Sequence, residues 1–497
     1  MPPVPPESRW AKVPGGAFAR GVVTLASGTA IAQLLLVLAV PLLTRLYTPA
    51  DYGVLAVYAS TITVLVVVAS LRYEAAIPLP EDDLVAGSLL ALTFTFLAVT
   101  ATVVGVLIWL LGDAFVLAMK VPALGPYRWL ILAGFLGAGT YQALTYWAIR
   151  RHDFARVART RLTLGAGQVI TQVALGLAHT GAPGLLVGDV VGRVVGGGGL
   201  AFFAVRDRPL AHVTRTSLLA AAVRYRRFPL LTTWSGLLNV ASLQLPSIVF
   251  AASFGAAAAG LYALSFKTLL LPTMLVSQAV GQVFLSRAAA VVREPERLRQ
   301  LTERTALVLF GVGLPVFAAV ALGGPRIYAT LMGSQWEQAG RYAQVLAPWF
   351  VVWCVSNPLS GLLSVREWQA SALAFSAVEF ALRLGSLLLG AHRGSPMLAV
   401  VLLSASGVVI SLASIARFML AGHSSIRQLL SPAARLLALA AACLLPGALL
   451  LQRGSASLGL LLGAAGVAVY YVVVLRSEAA SVILQLPVDT REPTAVP

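Results

Sequence analysis

The sequence is poor in charged residues and in cysteine. Only 11% of its 497 residues are charged, and just 19 are acidic, whereas soluble globular chains carry about 25% charged residues. This scarcity excludes an ordinary soluble domain. The two cysteines, Cys354 and Cys443, lie inside apolar runs without metal-ligand spacing. Neither a disulfide framework nor a zinc site is therefore indicated.

Long apolar runs fill the chain instead. Hydrophobic residues make up 58% of it, and the mean hydropathy is +0.85. A helix rises about 1.5 Å per residue, so about 20 apolar residues cross a hydrocarbon layer of about 30 Å. The pattern predicts an all-α polytopic membrane protein with about fourteen transmembrane helices. The predicted spans are 21–44, 53–71, 84–111, 129–148, 162–179, 183–205, 229–253, 260–285, 305–323, 342–363, 370–390, 396–416, 434–451 and 456–475.

Arginine is distributed unevenly between the connecting segments. With the N-terminus placed inside, the inner segments hold most of the basic residues, including the run from Arg206 to Arg227. Because cytoplasmic loops carry an excess of Lys and Arg, we expect both termini to be cytoplasmic. The net charge of +17 then follows from topology, and no nucleic-acid partner is expected. Residues 1–14 lack the pattern of a signal peptide and are predicted to be a cytoplasmic tail.

A weak internal repeat divides the chain into halves of like orientation. Gly53, in DYGVLAVYAS, aligns with Gly260, in AAGLYALSFK, 207 residues later. Parallel repeats of this kind are a transporter architecture, with the substrate path between the halves. The predicted domains are a tail (1–14), a six-helix bundle (15–205), a basic cytoplasmic linker (206–228), a second six-helix bundle (229–420), an extra helical pair (421–475) and a cytoplasmic tail (476–497).

Four stretches carry a family resemblance. LTRLYTPADYG, LRYEAAIPLPEDD, YRRFPLLTTWSGLLNVASLQLP and AGLYALSFKTLLLPTMLVSQAVGQVF resemble the Wzx-like polysaccharide-export branch of the multidrug/oligosaccharidyl-lipid/polysaccharide exporter superfamily. The resemblance implies a flippase, not an enzyme, in the bacterial inner membrane. It would move an undecaprenyl-diphosphate-linked oligosaccharide repeat unit to the periplasmic leaflet for O-antigen, exopolysaccharide or capsule synthesis. It implies alternating access of two helical bundles, no cofactor, and a polysaccharide polymerase as a possible partner.

Three cations, Arg193, Lys267 and Arg383, fall inside predicted spans. Ionisable groups inside a membrane are functional candidates by default, and these three suit an anionic diphosphate. We expect them to line a wet cavity between the halves; for Lys267 the alternative is snorkelling to the outer interface. Other polar side chains in the spans either line the same cavity or bond neighbouring helices. These are Gln168, Gln172, Asn239, Gln278 and Gln282.

Two acid and base pairs in the spans are spaced four residues apart, Asp189 with Arg193 and Glu379 with Arg383. This spacing lets the two side chains meet on a helix. Each pair is either a self-neutralised structural unit or a site of ion coupling, in which the carboxylate takes up H⁺ or Na⁺ and releases the arginine. Around the first pair, a small-residue ladder predicts close helix packing; it consists of Gly188, Gly192 and Gly196.

Arg72 and Glu74 lie at the inner end of the second predicted span. The positive-inside bias accounts for the arginine but not for the glutamate. We therefore predict a cytoplasmic gate, in which the cation meets the incoming diphosphate; the alternative is an interfacial salt bridge. Arg45, at the outer end of the first span, belongs either to an outer gate or to the headgroup belt.

Other functions fit the sequence less well. A polytopic glycan polymerase or glycosyltransferase needs a sizeable exposed loop for its catalytic groups, but the outer loops are short and the five histidines are scattered without ligand spacing. No catalytic or metal-binding residues are predicted. A multidrug exporter of the same superfamily would be expected to have an acidic, aromatic site. A lipid II flippase would also need buried cations for its diphosphate cargo, and this alternative stays open.

Overall fold

The computed structural model describes residues 15–207, 210–211, 213–365, 369–453 and 455–476. Side chains are described for all of these except residues 15–27, 231, 278–279, 364–365, 369–374 and 456. The described chain is built of α-helices joined by short turns and contains no strand. The helices are α1 (Gly15–Leu46), α2 (Pro49–Val68), α3 (Asp83–Ala118), α4 (Trp129–Arg150), α5 (Phe154–Leu177), α6 (Ala182–Asp207), α7 (Arg215–Arg224), α8 (Thr233–Phe254), α9 (Ala256–Val291), α10 (Pro295–Met332), α11 (Glu337–Leu359), α12 (Gly361–Val365), α13 (Gln369–His392), α14 (Pro396–Ala421), α15 (Ile426–Gln452) and α16 (Ala456–Arg476).

Every predicted span coincides with one long helix. All the helices except α7 and α12 have between 20 and 38 residues, and each contains most of one predicted segment. Of these helices, 11 in the described part of the chain are long and apolar enough to cross a membrane. The chain is thus an all-α, multi-pass membrane protein, as predicted. The other long helices, α4, α5 and α13, are not among the 11 found in the described residues, and the count of fourteen spans stays a prediction.

The predicted basic linker, 206–228, contains a helix that the sequence reading did not anticipate. α7 begins after Thr214, whose hydroxyl accepts a hydrogen bond from the Ser217 backbone while the Ser217 hydroxyl accepts one from the Thr214 backbone. This reciprocal capping satisfies donors that a helix start leaves open. The described part of the linker thus contains a helix, Arg215–Arg224. The predicted tails, apart from Arg476, lie outside the described residues.

The chain divides into two compact units. The first contains the described residues up to Leu264, with Leu331–Trp336 and Phe380–Ala399; the second contains Ser265–Thr330, Glu337–Glu379 and the described residues from Val400 onward. In the first unit an apolar core around Leu89, Leu144 and Val157 joins α3, α4 and α5. In the second, one core surrounds Phe284 and Leu309, and another surrounds Leu314, Leu444 and Tyr470.

Two glycines bring α2 and α9 into backbone contact within the first unit. A Cβ placed on Gly53 would lie 1.8 Å from the Ala256 carbonyl oxygen, and one on Gly260 would lie 1.9 Å from the Pro49 carbonyl oxygen. The contact is reciprocal, because Pro49 and Gly53 precede Ala256 and Gly260 by the same 207 residues. Each helix thus presents equivalent positions of the repeat to the other. This reciprocity supports the weak repeat seen in the sequence.

The glycine ladder of α6 packs closely against a neighbouring helix, as predicted, and that helix is α5. A Cβ on Gly188 would lie 2.3 Å from Cγ of Gln172, and one on Gly192 would lie 2.8 Å from the Leu164 carbonyl oxygen. A Cβ on Gly196, the last glycine of the ladder, would lie 2.9 Å from Cβ of Leu164. Small residues let two helix backbones approach where any larger side chain would hold them apart. The ladder is therefore a packing device.

Candidate functional site

A buried carboxylate follows the end of α2. Leu71 and Arg72 have φ angles of 51° and 63°, which reverse the chain into a 3₁₀ turn, Tyr73–Ala76. Glu74 in this turn is 1% exposed. It accepts hydrogen bonds from the Ser70 hydroxyl and from Nε2 of Gln142, the latter at 2.9 Å. The turn thus places an acidic side chain inside the first unit, between α2 and α4.

Arg72 lies beside this carboxylate without a tight ion pair. Its Nη1 is 3.9 Å from Oε1 of Glu74, and its side chain is 27% exposed. No described residue accepts a hydrogen bond from its buried Nε. A Cβ on Gly236 of α8 would lie 3.5 Å from Nε and Nη2 of Arg72, so the guanidinium faces a helix position that carries no side chain. Among the described residues, the charge of Arg72 is thus only loosely paired.

The pKa of the Glu74 carboxyl is raised above its ordinary value. Burial is the main cause, because removing a carboxyl group from water penalises its charged form. The hydrogen bonds from Ser70 and Gln142 and the positive charge of Arg72 act in the opposite direction but are smaller. Glu74 therefore takes up a proton more readily than an exposed glutamate does.

Arg150 holds the loop after Glu74 in place. Its side chain is 4% exposed and donates hydrogen bonds to the carbonyl oxygens of Pro80 and Glu81. It also donates to Oδ1 of Asp83 at 2.6 Å. These charge-assisted bonds fix the segment between the 3₁₀ turn and α3. Arg150 thus supports the loop that follows the Glu74 turn.

Asp189 and Arg193 form an ion pair within α6. Nε of Arg193 donates to Oδ2 of Asp189 at 2.6 Å, and Nη2 donates to Oδ1 at 3.2 Å. The hydroxyl of Tyr58, a fully buried residue of α2, donates to the same carboxylate at 3.1 Å. This geometry agrees with the self-neutralised alternative for the pair. A role in substrate binding or ion coupling stays a prediction.

Arg383 is also placed in the first unit. It is 4% exposed, and its Nη1 lies 3.3 Å from the hydroxyl of Ser242 in α8.

Gln172 is buried and donates to the Leu185 carbonyl of α6 at 3.0 Å; it therefore bonds a neighbouring helix. Gln168 is half-buried and Asn239 exposed.

The remaining predicted positions are spread over both units. Lys267 and Gln282 lie in the second unit and are exposed, and Glu379 is half-buried there. The side chain of Gln278 lies outside the described residues. Arg45 is exposed at the last turn of α1. A shared cavity lined by Lys267, Arg193 and Arg383 stays a prediction.

Sequence reasoning missed several groups around Glu74. Gln142 had a visible signal, since it is an amide inside an apolar predicted span, whereas Ser70 and Arg150 had none. In the described part of the chain, no three His, Cys, Asp or Glu side chains come together as a metal-binding group. The predicted absence of a metal and of a cofactor stays a prediction.

Comparisons with known proteins give relatives by sequence. A family model described as polysaccharide biosynthesis protein matches residues 42–341. The lipopolysaccharide biosynthesis protein WzxC of Escherichia coli (strain K12) is 22% identical over 215 residues, which make up 43% of this chain and 42% of that protein. The amylovoran biosynthesis protein AmsL of Erwinia amylovora is 26% identical over 125 residues, or 25% of this chain and 31% of that protein. Each match thus spans less than half of the relative's length.

Solved structures share the fold. The lipid II flippase MurJ in an inward closed conformation has a TM-score of 0.68 and 11% identity, and the match covers 91% of this chain and 99% of that one. An inward-facing multidrug resistance MATE family transporter of the MOP superfamily has a TM-score of 0.62 and 15% identity, with 79% and 96% covered. At these identities the likeness establishes the fold alone.

Proposed function

The chain belongs to the polysaccharide biosynthesis protein family, and from this premise we propose that it is a flippase for a polyprenyl-diphosphate-linked oligosaccharide. The match covers residues 42–341, which include the turn carrying Arg72 and Glu74. The resemblance to polysaccharide exporters read from the sequence is thereby confirmed. The proposed cargo has a lipid tail that stays in the bilayer, and a diphosphate and sugar chain that the protein carries across.

The state of Arg72 is the observation that supports an anionic cargo. A guanidinium in or near a membrane normally has its donors bonded or its charge paired. Arg72 instead has a buried Nε without an acceptor among the described residues and a loose 3.9 Å pair with Glu74. Phosphate oxygens are strong acceptors for a guanidinium. A diphosphate that reaches this turn would pair with the charge of Arg72, whose side chain is 27% exposed.

The proposal includes a location and a direction. The bias of arginine towards one set of connecting segments supports cytoplasmic termini and an inner-membrane location. The Arg72 turn then faces the cytoplasm, where it meets the diphosphate before translocation to the periplasmic leaflet. The protein works by alternating access and performs no bond chemistry of its own. A polysaccharide polymerase would use the translocated repeat unit.

Reconstitution tests the proposal directly. The purified full chain is placed in vesicles that contain an undecaprenyl-diphosphate-linked oligosaccharide with a fluorescent sugar, and the labelled fraction accessible to an impermeant quencher is followed over time. We expect the protein to move label between leaflets, and protein-free vesicles not to do so. Equal rates in both preparations would contradict the proposal.

The same assay separates the alternatives. Vesicles carrying lipid II, or a lipophilic cation as a drug-like cargo, are measured in parallel with the oligosaccharide. The shared fold with MurJ keeps lipid II as the second candidate. Faster movement of lipid II than of the oligosaccharide would favour a lipid II flippase, and movement of the cation alone would favour a multidrug exporter.

A further inference from the structure

Helix α7 presents an apolar stripe away from the protein. Its inner side packs against the core formed with α3, through Leu218 and Ala221. On the opposite side Leu219 and Val223 are 60% and 63% exposed. They are four residues apart and therefore lie one above the other on one face. A short helix with an exposed apolar stripe is expected at a lipid boundary, because contact of apolar side chains with water is unfavourable.

Basic residues surround this stripe. Arg215 and Arg224 lie at the two ends of α7, and Arg226 and Arg227 follow it; all are exposed. No acidic residue occurs between Asp207 and Glu294 in the sequence. The charge of the segment is therefore not balanced by neighbouring acids in the chain. Arginines flanking an exposed apolar face are typical of helices that lie in the interface of an anionic membrane.

The position of α7 in the chain agrees with such a location. It lies between the ends of two apolar helices, α6 and α8, and Trp234 near the start of α8 is 63% exposed. Exposed tryptophan is enriched at the level of the lipid headgroups. The helix is also anchored, since the Ser88 hydroxyl of α3 donates to the Ser217 hydroxyl at 2.9 Å. The Tyr73 hydroxyl donates to the Ala222 carbonyl at 3.2 Å.

We propose that α7 is an interfacial helix that binds anionic phospholipid headgroups through Arg215, Arg224, Arg226 and Arg227 while Leu219 and Val223 insert between the acyl chains. The helix is fixed to the protein on one side and to the membrane surface on the other. Because Tyr73 adjoins Glu74, the lipid contact is one hydrogen bond away from the candidate site. The inference does not depend on the proposed transport function.

Lipid binding is measured on the detergent-solubilised full chain, with phosphatidylglycerol, phosphatidylcholine or inorganic phosphate as the probe. We expect phosphatidylglycerol to bind most tightly and to raise the melting temperature most. The double variant R215Q/R224Q is expected to bind it about 30-fold more weakly, since each arginine near an anionic surface contributes about fivefold. The matched variant R293Q/R297Q removes two exposed arginines that have acidic neighbours and should bind as the wild type does.

Membrane insertion is measured in a second way. A spin label is attached at V223C, in a background in which Cys354 and Cys443 are replaced by Ser, and the protein is placed in nanodiscs with phosphatidylglycerol. The spin label at V223C should collide more often with oxygen, which is concentrated in the lipid, than with a water-soluble relaxing reagent. A label at E294C should show the reverse. Equal affinity for the two lipids, an equal loss in both double variants, or a water-exposed label at residue 223 would each overturn the proposal.

Discussion

The buried carboxyl of Glu74 makes stability depend on pH. Its folded pKa is raised by burial, so the folded state binds the proton more tightly than the unfolded state does. For an acid with a raised pKa, the stabilisation is fully present below the unfolded pKa and is lost as pH rises through the folded pKa. The neutral form of Glu74 is thus the one that the fold favours.

We therefore expect Glu74→Gln to flatten the pH dependence of stability. The wild type should lose stability as pH rises above the ordinary range of a glutamate, about 4.3, while the variant should lose less. The melting temperature of the detergent-solubilised protein, measured across this range, provides the check. Glu294→Gln changes an exposed glutamate and serves as the control. Parallel pH profiles for wild type and E74Q would contradict the assignment.

The Asp189 and Arg193 pair can be tested by comparing a single with a double variant. Asp189→Asn leaves a partly buried guanidinium without its charge partner, which should destabilise the protein by about 2 kcal/mol. D189N/R193Q removes both charges and should recover much of this loss. If the pair is structural, the double variant also keeps its transport rate. A stable double variant without transport would instead favour one of the predicted roles, in substrate binding or in ion coupling.

At the level of single residues, the sequence indicated the site only in part. It identified Arg72 and Glu74, because positive-inside bias explains an arginine at the end of an apolar run but not a glutamate. It did not identify Arg150, which occurs in a cluster of arginines that positive-inside bias already explained. Its burial depends on the carbonyl groups of residues about 70 positions away. A contact between such distant residues cannot be predicted from the local sequence pattern.

Two helices depend on glycine for their crossing. A Cβ on Gly260 would overlap the Pro49 carbonyl oxygen, so Gly260→Ala should force α9 away from α2. We expect a marked drop in melting temperature and in the yield of folded protein. Gly198→Ala is the matched control, because a Cβ there meets nothing within 4 Å and Ala favours a helix by about 1 kcal/mol over Gly. Equal stability of G260A and G198A would contradict the close crossing.

The helices themselves were largely predictable. Apolar runs fixed the place of each long helix, because burial in lipid requires about 20 apolar residues and a fully bonded backbone. Their ends were not predictable from this rule. α10 spans Pro295–Met332 although the predicted span was 305–323, since polar turns continue a helix beyond the hydrocarbon layer. α7 was missed because its ten residues are too few to cross a membrane.

For the whole molecule, ion coupling is the open prediction. If Glu379 or Asp189 takes up H⁺ or Na⁺, an imposed gradient of that ion should change the rate of oligosaccharide movement in vesicles. The Gln variant of Glu379 and the Asn variant of Asp189 should then lose the response to the gradient. A rate that is the same with and without each gradient would rule out coupling by either ion.

The surroundings of the three cations in the predicted spans could not be predicted from the sequence. Periodicity and charge indicated which cations lie in spans, but not what surrounds each one, because helix packing depends on contacts between distant segments. Arg193 proved to be ion-paired and Arg383 to lie beside Ser242. Lys267→Gln and Arg383→Gln in the vesicle assay would show whether either cation serves the cargo; we expect each to slow transport.

The central claim is that Arg72 receives the diphosphate of a lipid-linked oligosaccharide. Its most direct test is the rate of oligosaccharide movement in vesicles that contain equal amounts of the wild type, R72Q, R72K or the control R128Q. Arg128 precedes α4 and is paired with Asp113 of α3. Loss of a charge-assisted hydrogen bond of about 1.5–3 kcal/mol predicts a rate at least about tenfold lower for R72Q. R72K should retain part of the activity, and R128Q should match the wild type. An R72Q rate equal to the wild-type rate would contradict the account.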